Sequence, residues 1–382
     1  MKRSTDRILT THTGSLPRPR DLVEQLQARD SGQPVDTAAF ESRVRESVAE
    51  IVRHQAATGV DIVNDGEQSK ISYSTYVKER LSGFDGEETA PVVRGESADF
   101  PNWGKGRQSR LAGLFSRPAC NGPIAWKDKS GLIQDLENLK SASLDVDVEE
   151  VFMTAASPGV VAHFMGDQYY GTEEKYMAAL AEAMKEEYEA INQAGFLLQL
   201  DCPDLAASRH SRFASLSNEE FLKIVEMHLE VLNYAVSEIS PDRMRLHLCW
   251  GNYEGPHHLD IPLKEIIGLV LAARPGAVSF EGANPRHEHE WAVFKDVKLP
   301  DGKIIIPGVL DSTTNYIEHP ELVAQRIVRY AEVVGRENVI AGSDCGFSTL
   351  ARTNPTVDPD ITWAKLQAMA EGAEIASKEL WS

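Results

Sequence analysis

His247 and Cys249 stand two apart in the apolar run Met244–Trp250, so on an extended strand both side chains leave the same face. An imidazole and a thiolate on one face make a bidentate half-site for zinc. Cys345, at the end of Val339–Cys345, offers a second thiolate, and Glu281, in Ala277–Gly282, offers a carboxylate. One nitrogen, two sulfurs and one oxygen suit Zn²⁺ better than Mg²⁺ or Ca²⁺. Spacing alone also fits a plainer reading, in which His247 and Cys249 are two packed residues of a buried strand. The remaining thiols read differently: Cys120 as a small buried hydrophobe, and Cys202 as turned away from the Asp201 face by period-two alternation. His257-His258 and His287-x-His289 fall in polar loops as ordinary loop residues, with His257 or His258 within reach of the mouth of a site.

The acids need roles as well. Glu67 and Asp201 end two separate apolar runs and should face one mouth, where paired carboxylates bind a substrate ammonium or move protons. Asp311 ends a further run and joins Asp201 as a candidate for catalytic proton transfer. Ser15, with the Gly14 backbone, could hold a small anion through N–H and hydroxyl donors. An ammonium-binding pair, an anion-binding turn and a thiophilic metal describe a site for an amino acid thiol. The structural alternative is that the acids merely pair with nearby Arg or Lys.

These residues share a position in the chain's rhythm. Eight β-rich runs, Ile8–Ser15, Asp61–Glu67, Val151–Ser157, Phe196–Asp201, Met244–Trp250, Ala277–Gly282, Lys303–Asp311 and Val339–Cys345, alternate with amphipathic stretches. The helical patterns are Ala38–Thr58, Glu173–Ala194 (Thr172 as N-cap), Asn218–Ile239, Leu263–Ala273, Pro320–Val334 and Trp363–Leu380 (Thr362 as N-cap). Such alternation argues for a parallel sheet, and the length favours a closed (β/α)8 TIM barrel over an open doubly wound sheet. In a barrel, functional groups gather at the C-terminal ends of the strands, which is where the reactive residues fall. A ninth strand candidate, Ala119–Ala125, follows an irregular stretch rich in Gly, Pro and charge. Residues 83–125 therefore read as an insertion between strands 2 and 3, ending in a hairpin and serving as a lid or substrate-facing loop, within one domain spanning 1–382.

Composition narrows the classes. With 39 basic and 58 acidic side chains the net charge is −19, which makes nucleic acid a poor partner. Hydrophobic residues at 42% can bury a sizeable core, so disorder is excluded. Four cysteines are too few for a disulfide scaffold and fit a reducing compartment. The N-terminus lacks a signal-peptide core, and the apolar runs are too short to span a membrane. A cytoplasmic protein is expected, and a homo-oligomer is compatible with the sequence.

Five blocks together carry a resemblance: Thr10-Thr11-His12-Thr13-Gly14-Ser15-Leu16-Pro17, the Gly66-Glu67 turn, His247-Leu248-Cys249, Ser279-Phe280-Glu281 and Asp344-Cys345-Gly346. In order and spacing they resemble the catalytic half of cobalamin-independent methionine synthase over nearly the whole chain, and in particular its short single-barrel members. Some of those are described as epoxyalkane:coenzyme M transferases. The resemblance implies a barrel with one catalytic zinc held by His247, Cys249, Glu281 and Cys345. It implies that Ser15, Glu67 and Asp201 grip the amino and carboxylate groups of a homocysteine-like thiol, which attacks a methyl-folate type donor.

Two blocks depart from the family. Its seventh-strand Asp-Ile-His reads Asp311-Ser312-Thr313 here, so a family histidine suited to protonate the leaving group is replaced by Thr313. Its Asp-Glu-Pro-Ala reads Asp201-Cys202-Pro203-Asp204. The thiol-activating side is kept while the donor side is altered, which fits another alkyl donor or another acid such as His12, His257 or His258. Opening of an epoxide by coenzyme M is the rival reading, although keeping both Glu67 and Asp201 favours a thiol bearing an amine. A zinc hydrolase or lyase barrel is the alternative of another class, disfavoured by two thiolates. A non-catalytic thiol or methionine carrier is weaker still.

Overall fold

The computed structural model describes residues 1–89, 94–111 and 115–382, with 107–111 as backbone only. The eight apolar runs each contain a strand: β1 (Leu9–Thr10), β2 (Ile62–Val63), β3 (Glu150–Ala156), β4 (Leu197–Asp201), β5 (Met244–Leu248), β6 (Ala277–Phe280), β7 (Ile304–Leu310) and β8 (Ile340–Ser343). All pairings are parallel, in the order β1-β8-β7-β6-β5-β4-β3-β2. A parallel bridge from Thr11 to Ile62 joins the two ends, so the sheet closes into the expected (β/α)8 TIM barrel.

Strand alternation divides the core in two. One side of each strand packs against the helices: Met244, Leu246 and Leu248 of β5 lie in this large outer cluster with Tyr176, Leu180 and Met184 of the helix Glu173–Gln193. The opposite parity points into the barrel, where Leu9, Ile62, Phe152, Leu197, Ala277, Ile304, Ile306 and Ile340 form a separate cluster. Every strand except β5 contributes to it. β5 supplies Arg245 instead, whose guanidinium lies 3.6 Å over the Phe152 ring and donates to Gln199 Oε1, Thr11 Oγ1 and His12 O. The barrel is thus closed below by hydrocarbon, capped by a buried arginine layer, and presents its chemistry above that floor.

The helices follow the apolar periodicity. Thr172 caps Glu173–Gln193 by accepting from Lys175 N–H, as expected, and a Ser217–Glu220 capping box starts Asn218–Ala235. The last helix begins earlier than Trp363. Asp358, not Thr362, is its N-cap, because Pro359 at the first helical position is pre-set for the turn, and Thr362 is buried inside. Among the described residues no helix is long and apolar enough to cross a membrane.

Between β2 and β3 the chain forms short helices at Val77–Arg80, Glu96–Asp99 and Pro101–Leu111, then Ser130–Ser143. Residues 90–93 and 112–114 of the expected insertion lie outside the described residues. Ala119–Ala125 is not a ninth strand. Gly122 and Pro123 break the ladder there, and only isolated bridges form, Cys120 to Asp167 in parallel and the flanking Glu88–Pro118 and Leu81–Trp126 pairs antiparallel.

Candidate metal centre and substrate site

His247, Cys249 and Cys345 meet at the C-terminal mouth of the barrel, all buried, with a ligand atom from each within 4.8 Å of the others. The two Sγ atoms lie 3.0 Å apart and both cysteines are free thiols. Glu281 approaches from the Cys345 side, its Oε1 3.7 Å from Cys345 Sγ. That carboxylate is also tied to Trp250 N–H (2.7 Å) and Asn284 Nδ2 (2.8 Å), which leaves it the most replaceable of the four candidate ligands.

The surroundings fit a thiophilic divalent cation. His247 Nδ1 faces Ser279 Oγ at 3.3 Å, and burial, then Arg245, pushes the imidazole down to about 3. It is therefore neutral, as a metal-ligating imidazole must be. The Cys345 contact pulls the Cys249 thiol down, yet burial and Glu281 outweigh it and the thiol stays raised. Burial and Cys249 push Cys345 well above the usual thiol range. Two thiolates beside a carboxylate in a dry site repel one another, and a divalent cation is what allows both to ionise. Behind the ligands, Asp344 accepts N–H groups from Gly282, Ala283 and Asn284 and rests on Gly308, where a Cβ would fall 2.0 Å from Oδ1. This clamp fixes the loop that presents Cys345.

Glu67 and Asp201 face the same mouth. Asp201 pairs in register with His247 and accepts from Gln199 Nε2 at 2.8 Å. Glu67 Oε1 accepts from Thr154 Oγ1 at 2.9 Å, whereas Oε2 is buried with no partner. Burial first, offset by Lys70 and Arg18, raises Glu67, and burial followed by Glu67 raises Asp201 strongly. Glu67 adopts φ 56°, a left-handed conformation unusual for a residue with a side chain, and Arg18 holds it by donating Nε and Nη2 to its carbonyl. Gly14 lies against it with φ 141°, where a Cβ would meet Thr154 Cγ2 at 2.5 Å and Glu67 Oε1 at 3.1 Å. Ser15 packs on Gly346: a Cβ there would lie 2.0 Å from Ser15 Oγ, and Phe347 N–H donates to Ser15 O.

Other sequence candidates take different places. Asp311, a candidate for catalytic proton transfer, lies at the end of β7 and accepts from Thr313 N–H, Thr313 Oγ1 and Thr314 Oγ1. His12 accepts from Gly14 N–H and contacts Gln55 Oε1, so neither nitrogen faces substrate. His257 lies between Asp260 and the Tyr253 carbonyl, and His258 contacts Asp99. Cys120 and Cys202 are buried away from the centre, with thiols directed at the Gly122 and Leu200 carbonyls.

Sequence reasoning missed four residues here. Arg245 was readable, two positions before His247 on the same strand face. Asn64, whose Nδ2 is a second buried orphan, lies beside Glu67 in the same turn. Lys70, which donates to Thr154 O at 2.7 Å, and Tyr73, whose phenol burial and then Cys249 and Asp201 push upward, follow that turn without any spacing signal.

Residues 167–374 match the family model described as cobalamin-independent synthase, catalytic domain. The chain is 25% identical over 373 residues to methionine synthase of Sulfolobus acidocaldarius, covering 97% of this chain and 93% of the relative. It is 24% identical over 374 residues to methionine synthase of Thermococcus kodakarensis, covering 97% and 94%. Among solved structures, a B12-independent methionine synthase from Shewanella sp. W3-18-1 in complex with selenomethionine superposes with a TM-score of 0.75 at 21% identity, over 98% of this chain and 99% of that one.

Proposed function

The chain belongs to the cobalamin-independent synthase catalytic-domain family, and from that premise we propose that it is a zinc-dependent thiol methyl- or alkyltransferase acting on a homocysteine-like amino acid. We read it as one barrel domain over 1–382, with residues 83–125 elaborating the β2–β3 connection. Its partners are then a small thiol and an alkyl donor. The observation that carries this reading is the pair of free thiols 3.0 Å apart beside His247, at the mouth that Glu67 and Asp201 also face. The relatives named methionine synthase support it.

Each group then has a task. His247, Cys249 and Cys345 would hold the metal, with Glu281 as the ligand that yields to an incoming sulfur. Bound zinc would lower the pKa of that thiol and position it for attack on carbon. Glu67 Oε2, a buried acceptor without a partner, would take an N–H of the substrate ammonium. Asp201, raised by burial and by Glu67, would hold a proton in this site. Ser15 and the Gly14 backbone would receive the carboxylate. Gln199, bonded to Asp201 and to the Thr13 carbonyl, ties the two halves of this amino acid cradle together.

Keeping both acids favours an amine-bearing thiol over coenzyme M. The experiment that tests the function crosses homocysteine, coenzyme M and glutathione with methyl-folate and small epoxides on the zinc-loaded protein. Turnover with homocysteine and methyl-folate supports the reading. Turnover confined to coenzyme M and epoxides replaces it with the rival, and hydrolysis without thiol consumption overturns both.

A further inference from the structure

A half-buried arginine stands beside the thiol centre, and no carboxylate among the described residues lies within ion-pair range of it. Arg94 comes from the β2–β3 connection, and its guanidinium occupies the space a side chain at residue 251 would fill. A Cβ on Gly251 would lie 2.6 Å from Nη2 and 3.0 Å from Nη1. Gly251 N–H in turn donates to Cys249 Sγ at 3.2 Å. Adding standard backbone lengths to those contacts puts the guanidinium within about 9 Å of the sulfur. Gly251 has φ 123°, so both its conformation and its missing side chain make room for the arginine.

What holds Arg94 is neutral. Nη1 contacts His210 Nε2 and lies 3.4 Å from Trp250 O, and the guanidinium stacks 4.2 Å over the Tyr253 ring. A guanidinium only donates, so His210 Nε2 is the accepting nitrogen and Nδ1 carries the proton, 3.1 Å from Asp260 Oδ1. Glu96, His210 and Asp260 converge as closely as the thiol centre does. With Nε2 turned to Arg94, that group reads as a buried support for the guanidinium and not as a cation cage. Among the described residues Arg94 has no carboxylate in ion-pair range, and its Nε and Nη2 have no hydrogen-bond partner. An unpaired, partly desolvated cation at a site mouth calls for an anion.

We propose that Arg94 is a specificity-determining residue that binds an anionic group, a carboxylate or sulfonate, on the alkyl donor. It stands on the β5 side, where Gly251, Tyr253 and His210 surround it. This rests on the transferase reading and names the donor class for that site.

Iodoacetate and iodoacetamide are matched model donors that differ in charge. In both, the sulfur of the bound homocysteine forms the new S–C bond, the C–I bond breaks with loss of iodide, and the thiol proton passes to buffer. Product formation on the zinc-loaded protein is read by mass spectrometry above the protein-free rate. Arg94→Gln should lower the carboxymethyl to carbamoylmethyl product ratio tenfold or more. The carbamoylmethyl rate should stay within twofold of wild type, which also reports a folded site, and Arg94→Lys should keep most of the ratio. An unchanged ratio in Arg94→Gln overturns the inference. If neither product exceeds background in the wild type, the transferase reading fails, and calorimetry with methanesulfonate decides the role of Arg94 alone. Binding lost in Arg94→Gln supports that role, and equal or absent binding in the wild type overturns it.

Discussion

Replacing Glu67 with Gln separates substrate recognition from stability. In the structure Glu67 Oε1 is satisfied by Thr154 while Oε2 is buried and unpartnered. A hydrogen bond to a charged group contributes about 1.5–3 kcal/mol, and an unpaired buried acceptor costs a similar amount. Loss of an ammonium contact of about 2 kcal/mol corresponds to roughly 30-fold in Kd. The expected result of calorimetry on the metal-loaded protein is homocysteine binding weakened roughly 10- to 100-fold, with the deamino analogue 4-mercaptobutyrate unaffected. Stability should move the other way. Burial raises the carboxyls of both Glu67 and Asp201 above their unfolded values, so their favourable contribution is present in acid and lost as pH rises through the raised range. Glu67→Gln removes one of these groups, so at pH 7 the variant should melt no lower than wild type and its stability should depend less on pH. Equal weakening of both thiols, or a large fall in melting temperature at neutral pH, would refute the assignment of Glu67 to the ammonium.

Gly346→Ala should cost about 1–3 kcal/mol in denaturant unfolding and weaken thiol binding, because its Cβ lands 2.0 Å from Ser15 Oγ in a packed junction. His287 lies between Asp260 and Glu290 and is raised by them, against burial, to about 10. Its stabilisation is therefore full below about pH 6.5, still largely present at neutral pH, and lost progressively as pH rises to about 10. His287→Leu should lose on the order of 3 kcal/mol at pH 7, and in urea melts the gap from wild type should narrow steadily above neutral pH and be nearly closed by about pH 10. Asp358→Ala should cost about 1 kcal/mol by removing the cap of the last helix, read from the shift in denaturation midpoint.

The parts of the fold legible in the sequence were those that repeat. Eight apolar runs gave eight strands because each is buried on both sides, and period two put His247 and Cys249 on one face without any tertiary information. Helix Ser130–Ser143 escaped because its buried stripe carries Asp135 and Asn138, polar residues that break the apolar period. Asp135 is satisfied only in the folded protein, by Arg80. Ala119–Ala125 misled in the opposite sense, since its small apolar residues mimic a strand while Gly122 and Pro123 deny it a ladder. Within the site, the ends of strands were readable and the loops were not. Nothing in the spacing of Arg94, His210, Gly251 and Asp260 brings them together, and only the closed barrel does. The turn after Asp311 was not readable either: its oxygens accept from Thr313 and Thr314, two and three residues away.

On the proposed function, His247, Cys249 and Cys345 hold a zinc that accepts a substrate sulfur. X-ray absorption at the zinc edge, with and without homocysteine, tests it most directly. The expected result is one zinc per chain with two sulfur ligands, rising to three on adding the thiol, and loss of the metal in Cys345→Ser and His247→Ala. A protein that binds no zinc at this centre, or a sulfur count that homocysteine leaves unchanged, would contradict it.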